Sequence, residues 1–282
     1  MRKIIFLCLA LIVNTFVYGQ EQRIITLHSA ITETVFGLGL GESIVATDVT
    51  SISPRAAADL PRVSQNRSLS SEGILSFKPT VVLALEGDVS KAIVQHLKKA
   101  GIKYVSFTQE YSEKGSLKFI QQVADALGEQ ERCKQVAERT KTTMARVKEV
   151  VASANMGKAS PKILFIYARG TGTMSVAGKG SSLDAMITLA GAKNAVQEFA
   201  DFKPYTTEAL VKANPDIILL FDFGLSSLGG KEAVLKMPGM RLTEAGKNKR
   251  ILEMSPTLLV NFSTRLPEAV LELNKELHQI MQ

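Results

Sequence analysis

The sequence has no tryptophan, only two cysteines and only three histidines in 282 residues. Cys8 lies in an apolar N-terminal run that we expect to be removed, so Cys133 remains alone and cannot form an internal disulfide. Three histidines are few for the acid–base, nucleophilic or zinc sites that most enzymes of these kinds need. No G-x-S-x-G motif is present in the sequence. The composition therefore argues against an enzyme and against a small disulfide-stabilised scaffold.

Long apolar runs are absent after the N-terminus. At the N-terminus, Arg2 and Lys3 precede an apolar run over residues 4–13, and the stretch ends at Gly19. This order is typical of a secretory signal peptide, and the run is too short to span a bilayer. We therefore expect a signal peptide over residues 1–19, cleaved near Gly19, and a soluble exported protein. Export without disulfides suits a bacterial periplasm.

The charge is only mildly positive. The formal net charge is +7, and removing Arg2 and Lys3 leaves +5. No basic run and no basic patch interleaved with aromatics is present in the sequence, so nucleic acid is not an expected partner. A small positive excess over this length gives a weak indication of an anionic ligand.

Short apolar strand patterns alternate with helical patterns in two separate stretches of the chain. This alternation predicts an α/β fold with mainly parallel sheets. We predict an N-terminal α/β lobe over residues 20–128, a long bridging helix over 129–157, and a similar C-terminal lobe over 158–282. A cleft between two such lobes is a common place for a ligand.

A repeated phrase supports the two-lobe prediction. The stretches "SSEGILSFKPTVVLAL" and "TTEALVKANPDIILLF", over residues 70–85 and 206–221, share paired hydroxyl residues, a glutamate and a proline seven residues later. The glutamates are Glu72 and Glu208, which lie 136 residues apart. Each phrase predicts a short capped helix followed by a buried strand. The same element is therefore expected once in each lobe.

His28 and one tripeptide are the remaining candidates for functional residues in the sequence. His28 directly follows the first predicted strand, and the carboxyl ends of parallel strands face the ligand crevice. It is either a ligand-binding residue or a loop histidine bonded to nearby backbone, and both interpretations stay open. The tripeptide "DFG" at residues 222–224 resembles a kinase motif, but no other kinase element accompanies it in the sequence.

Several longer phrases resemble the haem-binding periplasmic proteins of bacterial haem-uptake ABC transporters. They include "RIITLHSAITETVFGLGLGESIVATDVTS", "LPRVSQNRSLSSEGILSFKPTVVLA", "FKPYTTEAL" and "MPGMRLTEAGKNKRIL". The resemblance covers nearly the whole mature chain, and the class also includes cobalamin and siderophore carriers. It implies two lobes bridged by a helix. It also implies that Glu72 and Glu208 dock with arginines on the two subunits of a permease, as carboxylate–arginine pairing allows.

The resemblance also implies a ligand site for haem as the transported molecule, with no catalytic cofactor. Relatives often have a tyrosine where this chain has Gln65, and some have a histidine where it has Arg169. His28 is therefore the expected axial donor to the iron, with Tyr205 and Tyr167 as further candidates. Arg67 and Arg169 are expected to pair with propionates. Met174 and Phe262 are expected either to pack on the porphyrin or to belong to the core.

The sequence thus predicts a monomeric, non-enzymatic periplasmic carrier that delivers haem to an inner-membrane ABC permease. One alternative is a carrier of cobalamin or a ferric siderophore, since the ligand positions are altered. An alternative of another class is a periplasmic tetrapyrrole-modifying enzyme such as a chelatase. That enzyme would need an acid–base cluster in the cleft.

Overall fold

A computed structural model describes residues 22–66, 68–170 and 174–282. The expected signal peptide lies outside these residues, as does Arg67. In the described part of the chain, no helix combines the length and apolarity needed to cross a membrane.

The N-terminal lobe contains a four-stranded parallel sheet with the strand order β2-β1-β3-β4. Its strands are β1 (Ile24–Thr26), β2 (Ile44–Thr47), β3 (Val81–Leu85) and β4 (Lys103–Phe107). Its helices are α1 (Ser29–Gly37), α2 (Arg55–Ala58), α3 (Ser71–Leu75), α4 (Lys91–Lys99) and α5 (Glu113–Leu127), with a 3₁₀ turn at Gly41–Ser43.

Both faces of this sheet are buried under helices. In β3, Val81 and Leu83 belong to a core cluster that also contains residues of α1 and α5. The alternate residues Val82 and Ala84 belong to a second cluster, which contains residues of α3 and α4. Side chains alternate across a strand, so a strand covered on both sides reads as a continuous apolar run. The sequence "VVLAL" has this pattern.

The C-terminal lobe contains a sheet with the order β10-β9-β5-β6-β8, and β7 also pairs with β5. Its strands are β5 (Lys162–Ala168), β6 (Met174–Ala177), β7 (Lys193–Asn194), β8 (Phe202–Lys203), β9 (Ile217–Phe221) and β10 (Ile251–Met254). Its helices are α7 (Ser182–Leu189), α8 (Thr207–Ala213), α9 (Asp222–Ser227), α10 (Lys231–Leu235), α11 (Glu244–Lys247), α12 (Pro256–Val260) and α13 (Leu266–Met281), with a 3₁₀ turn at Met240–Leu242.

The predicted α/β class with mainly parallel sheets is confirmed. The pairs β5–β9, β9–β10 and β5–β7 are parallel, whereas β6 runs antiparallel to both β5 and β8. The antiparallel strands have four and two residues, and strands this short carry almost no alternation from which to predict them.

Helix α6 (Gln130–Asn155) bridges the two cores. Its 26 residues span about 39 Å at 1.5 Å per residue. In its first half, Cys133 and Val136 belong to the N-terminal core, while Met144, Val147 and Val151 in its second half belong to the C-terminal core. The boundaries of the two lobes at residues 128 and 158 stay predictions.

The repeated phrase forms the same corner in both lobes. The side chain of Ser70 caps α3 by accepting from the Gly73 N–H, and Thr206 caps α8 in the same way. Each corner then has a residue in the left-handed region just before its proline, with φ of 48° at Lys78 and 43° at Asn214. β3 and β9 begin at equivalent positions after the corner. The internal repeat is therefore structural as well as compositional.

Candidate ligand-binding site

A cleft of about 900 Å³ lies between the lobes, at the carboxyl ends of parallel strands. His28 follows β1, and Thr50 follows β2 on the N-terminal side. On the C-terminal side, Tyr167 lies near the end of β5, Phe221 ends β9, and Thr257 follows β10. Ligand crevices in α/β sheets form at this edge. Topology alone therefore brings these residues together.

His28 both caps a helix and lines the cleft. It is the N-cap of α1, and its Nδ1 accepts from the Ala30 N–H at 3.2 Å. A ring nitrogen that accepts an N–H carries no proton, so a neutral His28 has its proton on Nε2. The two interpretations left open by the sequence therefore coexist. Coordination of iron through Nε2 would require that proton to leave or to move to Nδ1.

Tyr167 and Arg169 form a polar pair on the opposite side of the cleft. The Tyr167 hydroxyl accepts from Arg169 Nε at 2.6 Å. The same guanidinium lies over the ring of Phe223, with Cζ 5.0 Å from the ring centroid. A hydrogen bond from a guanidinium is charge-assisted and holds both side chains in a defined geometry. The cleft thus contains a tyrosine oxygen that is held by a cationic side chain.

An aromatic wall covers the C-terminal side of the cleft. It consists of Tyr167, Phe202, Phe221 and Phe223. The Tyr167 ring meets the rings of Phe221 and Phe223 edge to face, with centroids 6.2 and 6.1 Å apart. On the N-terminal side, Ile52 is 50% exposed in the open cleft. These apolar surfaces suit a flat, largely apolar ligand, while Arg169 suits an anionic group on it.

The remaining residues predicted to touch the ligand lie elsewhere. Tyr205 lines a separate cavity of about 220 Å³, which also contains Met174. Its hydroxyl donates to Glu198 at 2.7 Å, and burial together with this carboxylate raises the pKa of Tyr205. Phe262 is 2% exposed and packs in the C-terminal core, so the core alternative is the correct one for this residue. Arg67 lies outside the described residues.

The two docking candidates occupy equivalent exposed positions. Glu72 is the second residue of α3, and Glu208 is the second residue of α8. Both are exposed in the first turn, where the helix dipole favours a carboxylate. Ser71 Oγ lies 3.4 Å from Glu72 Oε1 and 3.1 Å from His96 Nδ1. The structure places one such glutamate on each lobe.

Sequence reasoning missed most of the aromatic wall. Phe221 ends the buried strand β9 and Phe223 follows it, much as His28 follows β1, so the strand-end rule could have found both residues. Phe221 precedes the "DFG" tripeptide and Phe223 is its middle residue; the tripeptide resembles a kinase motif only by chance. Phe202 belongs to a two-residue strand that the sequence did not reveal.

The described residues contain no group of three or more histidine, cysteine, aspartate or glutamate side chains that could hold a metal ion. His28 and Tyr167 instead lie singly on opposite sides of the cleft. Single axial donors are what a metal already held in a porphyrin requires.

Comparisons with known proteins agree with this geometry. A family model described as "Periplasmic binding protein" matches residues 24–258. The solved periplasmic heme-binding protein RhuT from Roseiflexus sp. RS-1, in apo form, is 32% identical with a TM-score of 0.87, over 93% of this chain and 100% of that one. The periplasmic heme-binding protein BhuT in complex with two hemes is 35% identical, also with a TM-score of 0.87, over 93% and 99% of the two chains.

Curated relatives are more varied. The uncharacterized ABC transporter substrate-binding lipoprotein YvrC of Bacillus subtilis (strain 168) is 27% identical over 261 residues, which are 92% of this chain and 81% of that protein. A vitamin B12-binding protein of Salmonella paratyphi A is 29% identical over 211 residues, 70% of this chain and 71% of its own length.

Proposed function

The chain belongs to the periplasmic binding protein family, and we propose that it captures haem in the cleft between its lobes and delivers it to an inner-membrane ABC permease. The observation that carries the proposal is a cleft with an aromatic wall, lined by His28 on one side and by Tyr167 on the other. Support comes from two haem-binding structures more than 30% identical to almost the whole chain.

Haem is a flat apolar ring with anionic propionates and an iron that needs axial donors. The aromatic wall covers one face of the ring and removes it from water, which is the main favourable term for a ligand of this kind. Arg169 supplies positive charge at the cleft, and Arg67 is our second candidate for a propionate partner. The +5 charge of the mature chain favours the approach of such an anion.

Tyr167 is the axial oxygen donor in this proposal. Iron(III) binds the phenolate, and the guanidinium of Arg169 stabilises that negative charge through the hydrogen bond it already makes. Tyr205 is not part of the site, because its hydroxyl is committed to Glu198 beside another cavity.

His28 is the nitrogen donor from the opposite lobe. To bind iron through Nε2, the neutral ring must carry its proton on Nδ1, which then no longer accepts from the Ala30 N–H. Ligation by His28 therefore costs the cap of α1, which is worth about 1 kcal/mol. For this reason we assign the stronger bond to Tyr167 and the weaker one to His28.

Delivery uses Glu72 and Glu208. A permease with two subunits presents a pair of sites, and the two lobes offer one exposed carboxylate each at equivalent corners. Bidentate pairing of arginine with carboxylate gives such contacts both strength and orientation. A monomer that docks in this way needs no second copy of itself.

The protein acts outside the inner membrane. The family supports a periplasmic or extracellular carrier, and residues 1–19 serve in this proposal as a signal peptide cleaved near Gly19. The role is binding and release of an unchanged ligand, so no catalytic cofactor is needed.

Titration of the purified mature protein with haemin tests the function. We expect a shift of the Soret band that saturates at a fixed stoichiometry and is unaffected by excess cyanocobalamin. Tight binding of cobalamin without any haemin response would contradict the proposal and favour the carrier alternative. Recovery of the bound pigment as metal-free or ring-modified tetrapyrrole would instead favour the chelatase alternative.

A further inference from the structure

Helix α9 packs directly against the corner that carries Tyr167 and Arg169. Its second residue, Phe223, meets Tyr167 edge to face and lies beneath the Arg169 guanidinium at 5.0 Å. Phe221 also contacts the Phe223 ring, with centroids 5.4 Å apart. The Phe223 ring therefore contacts both members of the Tyr167–Arg169 pair.

Two further contacts fix the position of α9 on this corner. The Gly170 N–H donates to Ser227 Oγ at 2.9 Å, so the end of α9 holds the residue that follows Arg169. At Gly224, an added Cβ would lie 3.4 Å from the Ala168 carbonyl oxygen, which shows how closely the helix approaches β5. The helix thus contacts every residue from Tyr167 to Gly170.

Arg169 needs such support because its side chain is exposed. A free arginine side chain loses rotamer entropy when it is held in one geometry. Stacking of the guanidinium on an aromatic ring offsets part of that loss. Without the ring, a larger fraction of the guanidinium population would point into water and leave the Tyr167 oxygen.

We infer that Phe223 is a positioning residue for haem ligation: it holds Arg169 on the Tyr167 oxygen and so sets the charge that this oxygen donates to the iron. The inference rests on the proposed function and deepens it, because it assigns control of the axial bond to a residue that is neither the donor nor its hydrogen-bond partner. The rest of α9 serves the same corner through Ser227.

The test is the phenolate-to-iron charge-transfer band of the ferric holoprotein, together with its reduction potential. Loss of the guanidinium makes the phenolate a stronger donor, which shifts the band to longer wavelength and lowers the potential. We expect Phe223→Leu to give most of the shift seen in Arg169→Met. The double variant Phe223→Leu with Arg169→Met should have its band at the same wavelength as Arg169→Met alone, because the Phe223 ring acts through the Arg169 guanidinium.

Phe202→Leu is the matched control. Phe202 lines the same cleft, but its ring packs on Phe165 with centroids 6.2 Å apart. This variant should weaken haemin binding without moving the band. If Phe223→Leu folds poorly, Ser227→Ala tests the same point. It loosens the contact of α9 with Gly170 but retains the Phe223 ring, so it should shift the band in the same direction.

Four outcomes would overturn the inference. A band that stays in place in both Phe223→Leu and Ser227→Ala would remove the positioning role, and so would a double variant that shifts well beyond Arg169→Met. A shift in Phe202→Leu equal to that in Phe223→Leu would show a general effect of cleft packing. A wild-type protein that binds no haemin would overturn the proposed function as well, and is recognised before any variant is made.

Discussion

Glu33 of the N-terminal lobe and Arg265 of the C-terminal lobe form an ion pair between the lobes, with Glu33 Oε1 3.2 Å from Arg265 Nη1. The Glu33 side chain is 1% exposed, and its other oxygen accepts from Ser263 Oγ at 2.6 Å. Arg265 also binds the exposed carboxylate of Glu268. The lobes are therefore joined at α1 by a buried, charged contact, and desolvation by burial raises the pKa of Glu33.

Removing one partner of this pair should be more damaging than removing both. Arg265→Ala leaves the Glu33 carboxylate buried without its cation, and we expect a loss of about 3 kcal/mol in the free energy of unfolding at pH 7. The double variant Glu33→Gln with Arg265→Ala should recover part of that loss. Urea denaturation at pH 7 measures both. A double variant that loses the sum of the losses of Glu33→Gln and Arg265→Ala would show that the two side chains are not coupled.

The titration of Glu33 should change the free energy of unfolding with pH in a defined direction. Its pKa is higher in the folded state, so the folded state retains the proton at a pH where the unfolded state has lost it. The contribution of this group to stability is then present below the unfolded pKa, near 4.5, and is lost as pH rises through the folded pKa. Unfolding free energies of Glu33→Gln, relative to wild type, should therefore rise with pH above about 4.5.

Glu268→Gln is the control with the opposite sign. The hydrogen bond from Arg265 lowers the pKa of Glu268, so its contribution is present above the unfolded pKa and is lost as pH falls. Stability of this variant, relative to wild type, should fall as pH rises from about 3.3 to about 5.3, one unit either side of the usual glutamate pKa. If both variants show slopes of the same sign, the pKa assignment for Glu33 is incorrect.

The repeated corner predicts opposite effects for two equivalent glycine substitutions. Lys78 is exposed and has a φ of 48°, which costs a non-glycine residue about 1–2 kcal/mol. Lys78→Gly should thus raise stability by about 0.5 kcal/mol after the entropic cost of glycine. Asn214→Gly should lower it by about 1 kcal/mol, because Asn214 Oδ1 accepts from the Glu244 N–H at 2.8 Å. Thermal unfolding of both variants tests this, and a matching sign would contradict it.

Features that depend on neighbouring residues in the sequence were predicted correctly, whereas features that depend on long-range packing were not. The parallel sheets and the Glu72 and Glu208 corners follow from apolar runs, hydroxyl caps and prolines, which are local signals. His28 was placed by the rule that strand ends face the cleft. Tyr205 follows β8, an edge strand two strands from β5, and its neighbourhood is set by long-range packing.

The contact between Glu33 and Arg265 could not be predicted from the sequence, because it too depends on long-range packing. Glu33 lies 232 residues from Arg265, and its helix gives no sign that this face meets the other lobe. The pairing of Tyr167 with Arg169 has a local signal, because the two residues lie two apart at the end of β5, where an extended chain places both side chains on one face.

The two proposed axial donors, Tyr167 and His28, should contribute separable features to the spectra of the haem complex. Tyr167→Phe removes the phenolate, and the ferric holoprotein should lose its charge-transfer band while retaining a weaker haem complex. His28→Asn keeps an N-cap residue for α1 but removes the imidazole, so the band should remain while the iron changes from six to five ligands. Resonance Raman spectra distinguish these states. Retention of the band in Tyr167→Phe would transfer the oxygen donor to another residue.

His28→Ala separates the cap from the ligand. Unlike His28→Asn, it removes the side chain that accepts from the Ala30 N–H, so the apoprotein should be less stable by about 1 kcal/mol. The two variants should nevertheless give the same haem spectrum. Different spectra would mean that the orientation of α1, rather than the imidazole, determines the sixth position of the iron.

Docking should depend on both lobes and be independent of haem capture. Glu72→Ala and Glu208→Ala each remove one of two equivalent exposed carboxylates, so each should reduce haem uptake through the permease, and the double variant should abolish it. Haemin binding should be unchanged in all three, because neither glutamate lines the cleft. Uptake by cells that depend on haem as their iron source provides the measurement.

The control for docking is a second pair of exposed glutamates, Glu42 and Glu232, which also lie in first helical turns, one in each lobe. Their double alanine variant removes the same net charge from the surface and should leave uptake intact. If both double variants lose uptake equally, the permease responds to overall charge and the repeated corner has no special role. If only the Glu72 and Glu208 pair matters, the internal repeat has a functional reason: it gives a two-subunit partner the same carboxylate twice.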